Sequence, residues 1–136
     1  MRFADVTPNL LVSNVEQSLA FYRDVLGFSL FANVPETGPF VFAWMQRDGV
    51  NVFLNSVEAV RAEHAELGAR PIGGTATIYI AIQAATPEDG VDALFSAIDG
   101  RARVIMPLTN QFYGMREFGV EDPDGYVLFF AQELPK

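Results

Sequence analysis

The sequence predicts an α+β fold made of two β-α-β-β-β modules, whose curled mixed sheets enclose a cleft. Three observations predict it. The same order of strand and helix signals occurs twice along a chain of 136 residues. Each half ends in two apolar runs joined by an Asp-Gly turn, Arg47-Asp48-Gly49 in the first and Asp122-Pro123-Asp124-Gly125 in the second. Each half also carries one stretch of helical periodicity with its own start and stop signals.

In the first half, Phe3 to Val12 reads as a strand interrupted by Pro8. Ser13-Asn14 supplies caps for a helix from Val15 to Leu26, with Val15, Leu19, Tyr22 (or Phe21) and Leu26 on one face and Gly27 at its end. Strands follow at Phe28–Val34, Phe40–Gln46 and Val50–Asn55. Residues 1–56 form the first module and 57–74 a connector holding a short helical piece, Val57 to Ala62. Residues 75–136 form the second module. It opens with a strand from Thr75 to Ala84, and a helix runs from Thr86-Pro87 to Ile98, stopped by Gly100. Strands at Arg103–Met106, ended by Pro107, then Gln111–Glu121 and Tyr126–Gln132 complete it. Neither half can bury its sheet face alone, so the chain is expected to be a single domain with a concave pocket at the junction of the repeats.

Composition narrows the function. Half of the residues are apolar, enough for a core without staples. There is no cysteine, which excludes disulfides, thiolate metal sites and cysteine nucleophiles. The net charge of −8 and the lack of a Lys/Arg cluster argue against nucleic acid. No signal-peptide pattern and no run of about 20 apolar residues is present, so a cytoplasmic protein without membrane contact is expected. Gly73-Gly74 lacks a phosphate-loop context, and Ser13, Ser18 and Ser96 have no His partner for a triad.

The segments Leu11-Val12-Ser13-Asn14-Val15 and Phe21-Tyr22-Arg23-Asp24-Val25-Leu26-Gly27-Phe28, with the later Asp122-Pro123-Asp124-Gly125-Tyr126, resemble the vicinal oxygen chelate superfamily. That superfamily includes glyoxalase I, bleomycin-resistance proteins, fosfomycin-resistance enzymes and extradiol dioxygenases. The resemblance covers nearly the whole chain. It implies paired βαβββ modules, commonly assembled as a homodimer, and leaves the chemistry open. The Asp-Pro-Asp-Gly turn itself needs no function, because its residue types suit a tight turn.

Metal-dependent members hold their ion with inward His, Glu or Gln side chains on the first and last strand of each module. Carried over, these positions fall at Thr7 and Phe53, then at Tyr79 (Thr77 the nearest alternative) and Phe129. None is a good ligand for a divalent transition metal. Asn51 and Glu117 are the polar residues nearest them, and the one histidine, His64, lies between Glu63 and Glu66 in the connector and reads as a surface residue. No metal and no other cofactor is therefore expected. Rings at both last-strand positions suit a cavity for apolar or planar molecules, or else a filled centre.

Tyr113-Gly114-Met115-Arg116-Glu117-Phe118 resembles an Arg-Glu-Phe motif of the bleomycin-resistance branch. There the preceding aromatic is usually Trp and stacks on a planar part of the drug. Strand alternation puts Met115, Glu117 and Gly119 on one face and Arg116 and Phe118 on the other. Glu117 then anchors a cation, acts as a general base, or pairs with Arg116, Arg101 or Arg103. Phe40, Phe42 and Trp44 share a face that is either core or cleft wall.

The reading that results is a metal-independent protein that sequesters an apolar or aromatic small molecule, neutral or cationic. Its expected ligand-binding residues are Trp44, Phe53, Tyr79, Tyr113, Met115, Glu117 and Phe129, with no catalytic residue assigned. A Kd of about a micromolar, about −8 kcal/mol, suffices for an abundant sequestering protein. The alternatives are a glyoxalase-type lyase or isomerase, or a dioxygenase-like enzyme, with a non-standard site using Glu117, and a regulatory or structural module without a ligand.

Overall fold

A computed structural model describes residues 1–136. The chain is α+β and divides into two compact units, Met1–Ile72 and Gly73–Lys136. Each carries a four-stranded mixed sheet with a helix on one face. No helix is long and apolar enough to cross a membrane.

In the first unit the strands are β1 (Asn9–Val12), β2 (Ser29–Val34), β3 (Phe42–Arg47) and β4 (Val50–Ser56), in the order β1-β4-β3-β2. Strand β1 runs parallel to β4, and the other pairs are antiparallel. The expected strand from Phe3 is shorter, because Pro8 has no N–H to give; its carbonyl instead accepts from Phe53 N at 2.9 Å. Helix α1 (Val15–Ala20) starts where the Asn14 side chain accepts from Gln17 N at 2.8 Å. It runs on as a wider π-wound turn, Phe21–Val25, in which Leu26 N reaches back to Phe21 O at 3.2 Å. This turn settles the Phe21/Tyr22 choice: Tyr22 is fully buried with Leu26. Gly27, at φ +74°, closes the helix.

Alternation sorts the strand residues into two faces. Leu10, Val12, Ala43, Met45, Val52 and Leu54 are buried on the face that packs under α1. The opposite, open face carries Asn9, Phe42, Trp44, Gln46, Asn51, Phe53 and Asn55. Trp44 and Phe42 are therefore not core under the helix. Helices α2 (Val57–Glu63) and α3 (Ala65–Gly68) follow β4, and α2 packs on β1 and β4. Gly68 approaches Arg61 so closely that a Cβ there would lie 2.5 Å from Arg61 Cα.

In the second unit the strands are β5 (Thr77–Ala81), β6 (Arg103–Asn110), β7 (Met115–Glu121) and β8 (Val127–Glu133), in the order β5-β8-β7-β6. The parallel pair is β5 with β8. Two expectations change here. Strand β6 passes through Pro107 instead of ending at it, because β6 is an edge strand and its register with β7 shifts between Met106 and Thr109. Helix α4 (Val91–Ile98) starts later than Thr86. Thr86 Oγ1 does accept from Asp89 N at 3.2 Å, but this forms a separate turn that Gly90 breaks at φ −111°, ψ −102°.

Gln132 on β8 takes over the cap of α4: its Oε1 accepts from Val91 N at 2.9 Å. Phe118 lies under α4, its ring centroid 5.1 Å from that of Phe95 and 5.2 Å from that of Phe130. The β7–β8 turn is built as its residue types suggest. Asp122 Oδ1 accepts from Asp124 N and Tyr126 N, both at 2.9 Å, and Gly125 takes φ +90°.

Candidate functional site

With Phe118 turned toward α4, alternation turns Met115, Glu117 and Gly119 of β7 to the open face of the second sheet. Phe129 of β8 pairs in register with Gly119 on one side and with Tyr79 of β5 on the other. A Cβ on Gly119 would lie 2.7 Å from the Phe129 ring, so the absence of a side chain at 119 lets that ring lean over β7.

Tyr113 reaches the same face by a route that differs from the expected one. It is not within a strand from Gln111. Residues 111–114 form the turn between β6 and β7, closed by Gly114 N to Gln111 O at 3.1 Å with Gly114 at φ +86°. The turn brings the Tyr113 hydroxyl back over its own strand.

The chemical centre of this face is Glu117. It is 4% exposed, and both its oxygens are engaged by phenols. Tyr79 Oη donates to Glu117 Oε2 at 2.8 Å, and Tyr113 Oη donates to Glu117 Oε1. Two of the arginines expected as structural partners, Arg116 and Arg103, are used elsewhere. Arg116 Nε lies 2.6 Å from Asp92 Oδ1 on α4, and Arg103 Nη1 lies 2.7 Å from Glu121 Oε2. Glu117 is thus a buried carboxylate satisfied by neutral donors, with no cation of the protein paired to it.

The phenols record that charge. Loss of water around the hydroxyl, then the hydrogen bond to Glu117 and its negative charge, push Tyr79 up to about 12, although the side chain is 52% exposed. Tyr113 is raised too, chiefly by its hydrogen bond to Glu117. Both phenols therefore remain donors through neutral pH.

Five of the seven expected residues, Tyr79, Tyr113, Met115, Glu117 and Phe129, lie on this unit. Trp44 and Phe53 lie on the open face of the first unit, as register partners on β3 and β4 with ring centroids 5.3 Å apart. Phe31 of β2 approaches Trp44 at 4.4 Å. Gln46, which sequence reasoning missed, pairs in register with Asn51. The two-residue turn Asp48-Gly49 could have revealed it, since such a turn fixes which residues oppose one another.

The positions where a metal would be held do not fit one. Register places Asn9 beside Phe53 in the first unit as it places Tyr79 beside Phe129 in the second. Thr7 therefore lies ahead of the first-strand position, which belongs to Asn9. Asn9 Oδ1 already accepts from Asn55 Nδ2, and Phe53 and Phe129 offer only carbon. No three His, Cys, Asp or Glu side chains converge, and His64 is exposed at the α2–α3 junction.

A family model described as the Glyoxalase/Bleomycin resistance protein/Dioxygenase superfamily matches residues 3–130. Bleomycin resistance proteins of Geobacillus stearothermophilus and Staphylococcus aureus are each 31% identical over 136 residues, spanning 93% of this chain and 95% of theirs. Among solved structures, a glyoxalase/bleomycin resistance protein/dioxygenase from Nocardioides shares the fold at TM-score 0.76 and 20% identity, over 98% of this chain and 85% of that one. TnmS3, an antibiotic binding protein from Streptomyces sp. CB03234, shares it at TM-score 0.72 and 22% identity, over 98% of both chains.

Proposed function

This chain belongs to the Glyoxalase/Bleomycin resistance protein/Dioxygenase superfamily, and we propose that within it the protein is a metal-independent binder that sequesters an aromatic small molecule carrying a cationic group. One observation carries the reading: Glu117 is buried among aromatic side chains, held by two phenols and paired with no cation. A protonated amine or guanidinium brought to this carboxylate forms a charge-assisted hydrogen bond that the protein itself leaves unmade. The rings of Tyr79, Tyr113 and Phe129 offer faces to a planar group and to the cation. Similarity to bleomycin resistance proteins and to an antibiotic binding protein points the same way.

Binding is favoured over catalysis because the Glu117 oxygens are hydrogen-bonded to the two phenols alone, with no His, Lys or Asp beside them to relay a proton. The donor set at the first- and last-strand positions supports metal independence. We place Trp44 and Phe53 in the same role, as rings for a planar part of a ligand. The reading includes a cytoplasmic homodimer; light scattering at twice the chain mass tests the assembly.

The test is calorimetric titration with bleomycin and a panel of planar cationic drugs, in the presence of a chelator. Saturable binding of at least one at about micromolar Kd supports the proposal. Silence across the panel, or binding that disappears with the chelator, refutes it.

A further inference from the structure

On the open face of the first unit, three side chains form a hydrogen-bonded relay. Trp44 Nε1 and Gln46 Nε2 both lie 2.8 Å from Asn51 Oδ1. The orientation of both amides is forced by chemistry. An indole N–H can only donate, so Asn51 must turn its oxygen toward it. That oxygen then requires the nitrogen, not the oxygen, of Gln46. The consequence is that Asn51 Nδ2 and Gln46 Oε1 are left over, without a protein partner. Neither is a buried orphan, so both meet solvent.

Register puts the two side chains that carry these atoms opposite one another. Gln46 and Asn51 are cross-strand partners, and the next pair on the same face is Trp44 with Phe53. A donor and an acceptor thus adjoin a platform of rings, in which Phe31 lies 4.4 Å from Trp44 and Phe53 lies 5.3 Å from it. We infer that this face is a subsite for a neutral aromatic lactam or primary carboxamide. The ligand's C=O accepts from Asn51 Nδ2, its N–H donates to Gln46 Oε1, and its ring stacks on the Phe31–Trp44 pair. The subsite recognises an edge pattern, whereas Glu117 recognises charge, and it rests on the first unit alone. Failure of every cationic drug in the calorimetric panel would leave it standing, and its own failure would leave the Glu117 reading standing.

Trp44 is the only tryptophan, so its indole N–H gives one unambiguous signal in a ¹H–¹⁵N spectrum. The probes are 2-quinolinone and its N-methyl analogue, which keeps the ring and the carbonyl but lacks the donor. The expected result is a saturable shift of the indole signal with 2-quinolinone, and at least about tenfold weaker binding of the N-methyl compound. Asn51→Asp keeps the oxygen that holds Trp44 and Gln46 but removes the free donor, so 2-quinolinone should bind it about tenfold more weakly. Gln46→Leu removes the acceptor without touching the Trp44–Asn51 bond and serves if the first variant does not fold. Equal affinity for the two probes, no shift with either, or unchanged affinity in a folded variant overturns the inference.

Discussion

Tyr79 on edge strand β5 donates to Glu117 on β7 at 2.8 Å, reaching across the intervening strand β8. The path is open because the β8 residue opposite Glu117 is Ala131, which carries only a methyl group. One hydrogen bond thus ties the edge of the sheet to the residue around which the candidate site is organised.

The contact has a pH signature. Tyr79 is raised to about 12 from an ordinary 10.0, so the stabilisation it contributes is complete below about pH 10 and is lost as pH rises through about 12. In Glu117→Gln the hydrogen bond to a charge and the charge itself are gone, but the loss of water around the hydroxyl remains. Tyrosine ring-carbon NMR titration should therefore find Tyr79 lowered toward, yet still above, its ordinary value. An unchanged titration would mean that Glu117 does not set it.

Arg116 and Asp92 fasten β7 to α4 through a partly exposed pair at 2.6 Å, with Arg116 Nη1 also 2.9 Å from Asn110 Oδ1. Arg116→Ala should cost about 1 kcal/mol in urea unfolding, and less at high salt, because such pairs are screened. Ligand affinity should change little, since Arg116 faces away from Glu117.

Gln132 holds the start of α4 and also donates from Nε2 to Ala84 O at 3.3 Å. Gln132→Leu leaves the Val91 N–H buried without an acceptor and should destabilise the protein by about 1–3 kcal/mol. Gly90→Ala should be damaging for the same reason, because a Cβ there would lie 2.0 Å from Gln132 Oε1. Thermal unfolding followed by circular dichroism measures both.

Gly119→Ala addresses the site without touching a polar group. The added methyl would meet the Phe129 ring at 2.7 Å and push it off β7. Ligand affinity should fall several-fold while the Tyr79 titration stays in place, and calorimetry beside NMR separates the two.

Much of this arrangement was legible in the sequence where the signal is local. The cap at Asn14, the closing Gly27 and the turn at Asp122–Gly125 rest on residue types whose backbone preferences act within a few positions. What stayed hidden depends on distant strands. Pro107 reads as a strand end until β6 is known to be an edge strand. The late start of α4 depends on Gln132, which lies 41 positions away from Val91. In the candidate site, alternation alone brought Glu117 to the face opposite Phe118. Its partners were not readable, because Tyr79 arrives through a parallel pairing and Tyr113 through a turn whose shape Gly114 sets. The Gln46–Asn51–Trp44 relay needed the hairpin register as well as the residue types.

The central claim is that an unpaired carboxylate at Glu117 selects a cation. It is tested most directly by titrating wild type and Glu117→Gln, with chelator present, against a planar aromatic cation and its neutral isostere. The account predicts that the cation binds the wild type more tightly. It also predicts that Glu117→Gln weakens the cation by about tenfold to about a hundredfold, the worth of one charge-assisted hydrogen bond, and hardly affects the neutral compound. Equal binding of both compounds to wild type, or an affinity for the cation that survives the substitution, would contradict it.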